Sequence, residues 1–197
     1  MKIHNFEQKT PEWFACRKWK MTASNAQAIW NCGKGLDTYI IELMSWYYSS
    51  WEKETYTNAD IERWLELEQT ARDIYELERW VKIENVWFIE MNEYVWCSPD
   101  WLIWDDWLVE IKSVNDKNHF LLILNWESEI DTKYIWQIQM QLLITWRKWC
   151  DYISYNPNFQ KSLIVHRILP DMESHKKLLI WIETWKKKIE EIKKKLW

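Results

Sequence analysis

Residues 94–113 read YVWCSPDWLIWDDWLVEIKS. The stretch alternates like two short strands with a tight return between them, so a hairpin is expected. In its second strand Glu110 and Lys112 project to one face while Val109 and Ile111 project to the other, predicting one wet side and one dry side. The return through 101–107 brings the chain back beside Asp100, which follows Pro99. Asp100, Glu110 and Lys112 therefore form an Asp-x9-Glu-x-Lys pattern in which two carboxylates and an ammonium meet at one spot.

The same stretch carries Trp where the backbone should bend. Across the chain there are 19 Trp and 2 Gly, whereas glycine ordinarily makes up about 7% of residues. Trp19, Trp30, Trp64, Trp80, Trp87, Trp96, Trp101, Trp104, Trp107, Trp126 and Trp146 stand mostly at helix ends, strand ends and turns, beside polar residues. Those are glycine's places. A genetic code that reads UGA as glycine, translated with a table that reads UGA as tryptophan, would leave this pattern. Most of the eleven are accordingly expected to be glycine in the encoded protein, with Gly33 and Gly35 unaltered. The alternative is a Trp-rich surface, whose rings would have no core to enter. Trp13, Trp136 and Trp149 read as authentic, while Trp46, Trp51, Trp181, Trp185 and Trp197 are assigned neither way.

Working outward, residues 11–18 and 23–31 read as short helices, the second with Thr22 or Ser24 as its cap, and Gly35 opens a third to about residue 48. Asn58 caps a long helix over 59–78 with Ile61, Leu65, Ile74 and Leu77 among its inward positions. Strand-like runs follow at 81–91, 93–98, 101–104 and 107–113, then helices at 116–125 and 132–146, and strands at 149–155 and 162–169. The tail, 171–196, is a helix with a seam of Leu178, Ile182, Trp185, Ile189, Ile192 and Leu196 that seeks its own core or another subunit. This order predicts an α/β fold: a central mixed β-sheet flanked by helices, with a helical first third and a long C-terminal helix. No repeat or linker divides the chain, so one domain over 1–197 is expected.

No stretch is apolar enough for a membrane span and MKIHNFEQKTPEW lacks an apolar leader core, which predicts a cytoplasmic protein. Cys16, Cys32, Cys97 and Cys150 have no zinc-site spacing and are expected to be buried free thiols. A net charge of −4 argues weakly against nucleic acid, because carboxylates gathered round a metal also lower the sum. Lys186–Lys188 and Lys193–Lys195 make the tail basic. The histidines at 4, 119, 166 and 175 are scattered, and there is no nucleophile elbow, no phosphate-binding glycine loop and no Cys–His pair.

Oxygen ligands such as Asp100 and Glu110 suit Mg²⁺, which can activate water and neutralise charge on a phosphodiester, with Lys112 orienting that water. The bland alternative is a charged hairpin with a Glu110–Lys112 surface pair.

The blocks EWFACRKWKMTAS (12–24), RWLELEQTARDIYE (63–76), CSPDWLI with LVEIKS (97–113), and YIWQIQMQLLIT with WCDYISYNP (134–157) occur in this order. Together they resemble the YqaJ-type viral recombinases, the group containing lambda exonuclease, within the PD-(D/E)XK nuclease superfamily with its restriction-endonuclease-like core. In that family positions 64, 87, 96 and 101 are commonly glycine. The resemblance implies that Asp100, Glu110, Glu68 and the Ile111 carbonyl are metal ligands and that Lys112 is the catalytic lysine. It places Gln137, three after Tyr134, near the nucleophilic water, and Arg17, Ser24 and Ser98 on the 5′-phosphate of the degraded strand. Glu66 competes with Glu68 but lies about 200° round the helix. Read without the family, Glu68, Gln137, Gln139 and Gln141 would be solvated positions, Ser24 a helix cap and Arg17 part of a surface ion pair.

The implied function is a Mg²⁺-dependent 5′→3′ exonuclease on double-stranded DNA, with two ions and Mn²⁺ as a substitute, making 3′ overhangs for phage or prophage recombination in a bacterial host. A homotrimeric ring and a single-strand annealing protein are the implied partners. The alternatives are another nuclease of this fold, restriction-like or Cas4-like, or a non-catalytic DNA-end-binding module.

Overall fold

The hairpin expected at 101–113 forms, but the chain around it is divided between two sheets. The structure, a computed structural model, describes residues 1–4, 10–17, 19–48, 59–85 and 88–196. Its elements are β1 (Lys2–His4), α1 (Pro11–Arg17), β2 (Met21–Thr22), a 3₁₀ segment (Ala23–Cys32), α2 (Lys34–Tyr48) and α3 (Ala59–Arg79). Then come β3 (Glu84–Asn85), β4 (Phe88–Asn92), β5 (Val95–Cys97), β6 (Trp101–Ile103) and β7 (Trp107–Ser113). The chain continues through α4 (Asp116–Glu129), α5 (Thr132–Thr145), β8 (Trp149–Tyr155), β9 (Leu163–Ile168) and α6 (Met172–Leu196).

In place of one central sheet, the described strands make a four-stranded sheet in the order β1-β4-β5-β2 and a five-stranded sheet in the order β3-β6-β7-β8-β9. Both are mixed, since β2 pairs parallel to β5 and β7 parallel to β8. The chain changes sheets between β5 and β6, at Ser98-Pro99-Asp100. Proline has no N–H to donate and cannot continue a ladder, so it suits such a corner.

The antiparallel register Trp101↔Val109 and Leu102↔Leu108 sets Asp100 level with Glu110, as the spacing predicted. The wet-and-dry division of β7 is not observed. Leu108 belongs to the larger core with Ile138, Leu142 and Tyr152, under α5. Val109 and Ile111 belong to a second core with Ala71, Tyr75 and Ile153, under α3. A strand with a parallel neighbour and helices on both faces is dry on both, so Glu110 is a buried polar residue, while Lys112 and Ser113, toward the strand's end, are half-buried.

Several local expectations change. The segment at 23–32 is 3₁₀, and its N-cap is Thr22, whose side chain makes no capping hydrogen bond, so Ser24 is not a cap. Leu77 is 74% exposed and Ile74 half-buried; the inward stripe of α3 instead runs through Leu67, Ala71, Ile74 and Tyr75. Asn58 lies outside the described residues, as do the side chains of Ile61 and Leu65. Leu178, Ile182, Trp185 and Ile189 of α6 are buried in the chain's own core, whereas Leu196 is exposed. Cys97 and Cys150 are buried free thiols, but Cys16 and Cys32 are only half-buried. Among the described residues no helix is long and apolar enough to cross a membrane.

The tryptophans separate by backbone geometry. Trp19, Trp80, Trp104 and Trp146 have φ of 65°, 55°, 46° and 58°, the left-handed region where a Cβ is crowded and glycine is not. Trp146 follows α5 as its C-cap, its N–H donating to the Leu142 carbonyl, and its ring is 85% exposed. Trp80 follows α3 and is 90% exposed. By contrast, Trp96, Trp101 and Trp107 lie in strands with their rings buried. Gly35 is required on other grounds, since a Cβ there would stand 2.7 Å from the Ala28 carbonyl oxygen.

Replacing Trp80 or Trp146 with glycine is expected to raise unfolding stability by about 1 kcal/mol. Replacement with alanine, which keeps the Cβ, should give no such gain. Urea denaturation measures the difference, and TGG codons at the four left-handed positions would refute the decoding explanation.

Candidate active site

Burial of β7 on both faces puts Glu110 where a carboxylate needs donors. It is 1% exposed, and both oxygens are met. Lys112 Nζ and Gln137 Nε2 each donate to its Oε1 at 2.5 Å, and Gln141 Nε2 donates to Oε2 at 2.8 Å. Gln137 and Gln141 are one turn apart on α5, so the helix delivers both amides from the same face. The Glu110–Lys112 pair is therefore no surface pair.

Asp100 sits at the sheet-changing corner, where its Oδ2 accepts from the Ile111 N–H at 2.6 Å. The Ile111 side chain faces the α3 layer, so only its main chain belongs to the site. Glu68 enters from α3. It is half-buried and Glu66 exposed, which decides between them.

The electrostatics join these groups. Burial pushes the Asp100 carboxyl well above the usual carboxylate range; Glu110 and Glu68 push it further, while Lys112 and the Ile111 N–H act against the shift. Burial also raises Glu68, with Lys112 pulling down and Glu110 pushing up. Burial would lower Lys112, but Glu110 and Asp100 outweigh it and hold the ammonium above the usual lysine range. Three carboxylates thus face one ammonium, a deficit that a divalent cation with oxygen ligands would fill.

The donor set fits such an ion, but the ligands are not gathered into a finished cage. Among the described residues no three His, Cys, Asp or Glu side chains are grouped to hold a metal. Glu110 is turned toward Lys112 and the two glutamines.

The second group lies at the edge of the other sheet. Parallel pairing of β2 with β5 sets Thr22 against Trp96; Ser24 follows in the 3₁₀ segment and Ser98 in the corner after β5. Ser24 Oγ is 3.3 Å from Thr22 Oγ1. Arg17 ends α1 with its guanidinium 3.9 Å from the Trp13 ring centre and 5.0 Å from that of Trp96. Burial pulls its pKa down, with Tyr47 and Tyr39 opposing. Of these three residues, Ser98 shares the Ser98-Pro99-Asp100 corner with the acidic group.

Gln141 was missed as a site residue. Gln137, Gln139 and Gln141, which could have been solvated positions, are all buried. Gln139 does other work, donating to the Leu169 carbonyl at 2.9 Å and accepting from the Asp171 N–H at 2.8 Å. The available signal was the i, i+4 spacing of Gln137 and Gln141, which places both on Glu110's side of α5.

Residues 12–148 match the profile of the YqaJ-like viral recombinase domain. No curated protein matches in sequence. The structure is similar to an alkaline exonuclease, LHK-Exo, from Laribacter hongkongensis, with TM-score 0.77 and 29% identity over 95% of this chain and 98% of that one. A second structure of LHK-Exo, in complex with dAMP, matches equally well. A phage related exonuclease from Haemophilus somnus 129PT shares the fold, with TM-score 0.69 and 14% identity over 90% of this chain and 96% of that one.

A raised Asp100 pKa means that the folded state holds its proton to higher pH than the unfolded chain does. Without divalent cations, stability should therefore fall as pH rises from the ordinary carboxylate range through the folded value. Asp100→Asn should remove much of that fall, leaving the variant more stable than the parent at pH 8 in EDTA. Urea midpoints at pH 5 and pH 8 measure it, and a parent more stable than Asp100→Asn at pH 8 would contradict the assigned burial.

Proposed function

The chain belongs to the family of YqaJ-like viral recombinase domains, and on that premise we propose that it is a divalent-cation-dependent 5′→3′ exonuclease acting on double-stranded DNA ends. The observation that carries this reading is the meeting of Asp100, Glu110 and Lys112 at the corner that also bears Ser98. The similarity to LHK-Exo, an alkaline exonuclease that also has a complex with dAMP, supports DNA as the polymer attacked.

Asp100, Glu110, Glu68 and the Ile111 carbonyl would hold Mg²⁺, with Mn²⁺ as a substitute and two ions as the full complement. When bound there, such a cation would supply activation of a water and neutralisation of the charge developing on the phosphodiester. Gln137 and Gln141 fix Glu110, so that its orientation does not depend on the ion alone. Lys112, which now donates to Glu110, would be free to donate to the water or the phosphate if that carboxylate held a cation instead. Tyr134 lies beneath Lys112, whose Nζ is 5.2 Å from the ring centre, and restricts where the ammonium can go.

Arg17 offers the fork of donors that suits a terminal phosphate, and Ser24 and Ser98 add neutral hydroxyls. A phosphate bound there, one step from Asp100, would present the first phosphodiester of a 5′ end to the carboxylates. That arrangement favours attack at ends over attack within a strand. The product is a 3′ single-stranded overhang for phage-type recombination, passed to a single-strand annealing protein. A homotrimeric ring enclosing the duplex completes the reading.

Linear duplex with 5′-phosphates should be digested in Mg²⁺ faster than duplex with 5′-hydroxyls, and covalently closed circles should survive; cut circles would overturn the end-acting claim. Glu110→Ala should lower the digestion rate by about a thousandfold or more. Undiminished activity in that variant would remove the site from the chemistry.

A further inference from the structure

A buried network on the opposite face of the β7 sheet has no part in the chemistry above. Tyr75 of α3, fully buried, donates its hydroxyl proton to Asp151 Oδ2 at 2.7 Å and accepts from Trp107 Nε1 at 3.1 Å. Asp151 is 1% exposed and also accepts from Arg167 Nε at 3.0 Å and Nη2 at 3.3 Å. One knot therefore ties α3 to β7, β8 and β9. Asp151 lies level with Val109, so the knot occupies the face away from Glu110. Burial first, then Asp151, pushes the Tyr75 hydroxyl up, so it remains a donor at any working pH.

Among the described side chains of α3 the inward stripe is Leu67, Ala71, Ile74 and Tyr75, of which Ala71 and Tyr75 are fully buried. The small Ala71 lets the helix approach the sheet, and apolar contact by itself is non-directional, fixing rotation and axial position only weakly. Directional hydrogen bonds to a buried carboxylate are sensitive to both.

The helix geometry links the knot to the active site. Glu68, Ala71 and Tyr75 are spaced by three and four residues on one face. From Tyr75 to Glu68 the helix turns to within about 20° of alignment and advances about 10.5 Å. Trp107, in the knot, and Glu110 are separated by about 10 Å along β7. With Tyr75 pinned beside Trp107, α3 projects Glu68 to the level of Glu110, where the two carboxylates repel. A slip of one residue would carry Glu68 about 100° away.

We propose that Tyr75 and Asp151 are positioning residues, setting the register of α3 on the sheet so that Glu68 reaches the cation site and completes it. Removing the Tyr75 hydroxyl loosens Glu68 without touching Asp100, Glu110 or Lys112. The inference rests on the cation-binding reading of that site.

Titrating the full chain with Mn²⁺, without DNA, followed by electron paramagnetic resonance, reads the site independently of activity. Tyr75→Phe should weaken Mn²⁺ binding by about tenfold, the scale expected for a group that orients a ligand. Glu68→Gln should weaken it at least as much, and the double variant should match Glu68→Gln alone, because Tyr75 acts through Glu68. Parental affinity in Tyr75→Phe, or losses that multiply in the double variant, would overturn the proposal. A parent that binds no Mn²⁺ would instead overturn the cation site on which it stands. If Tyr75→Phe does not fold, Arg167→Gln, at a half-exposed position, opens the same knot and faces the same comparison with Glu68→Gln.

Discussion

A carboxylate placed inside a sheet that is covered on both faces constrains everything around it. Glu110 can occupy the middle of β7 only because donors reach both its oxygens, from Lys112 on its own strand and from Gln137 and Gln141 on α5. Leaving such a group unpaired would cost several kcal/mol. The packing of α5 on β7 thus stabilises the fold and shapes the site together. The donors hold Glu110 through neutral amides and one ammonium, all of which can yield part of their contact to an incoming ion.

The corner at Ser98-Pro99-Asp100 is the second organising feature. There the chain leaves the four-stranded sheet and enters the five-stranded one, so residues two apart serve different groups. Ser98 follows β5 of the four-stranded sheet, and Asp100 joins Glu110 across the β6–β7 hairpin. Under the proposed function, holding a strand end and cutting next to it would need the two groups at fixed spacing. A proline-stiffened corner supplies that spacing without a long loop.

Legibility in the sequence followed the range of the interactions. The boundaries of α2, α5, β7, β8, β9 and α6 were readable to within a residue or two because periodicity and turn residues are local signals. Asp100 and Glu110 were readable because a hairpin register is arithmetic. Glu68 was chosen over Glu66 by the family resemblance, and α3 leaves Glu68 half-buried and Glu66 exposed; Gln141 read as a solvated position until α5 was placed on Glu110. Leu77, apolar yet exposed, shows the reverse error: its periodic position suggested the core, but α3 turns it to solvent. The tryptophans at 19, 80, 104 and 146 were suspect from their polar neighbours, and their left-handed backbone supplies the physical reason.

What the chain determined by itself is the order of helices and strands, the pairing of Asp100 with Glu110, and the wrong size of residue at several turns. These depend on contacts between residues close in sequence. Only the tertiary structure decided that β7 is dry on both faces, that the strands divide into two sheets, and that Tyr75, Asp151 and Arg167 form a knot behind the site. Those outcomes depend on how separate elements stack, and stacking is settled by the joint packing of surfaces that no local pattern encodes.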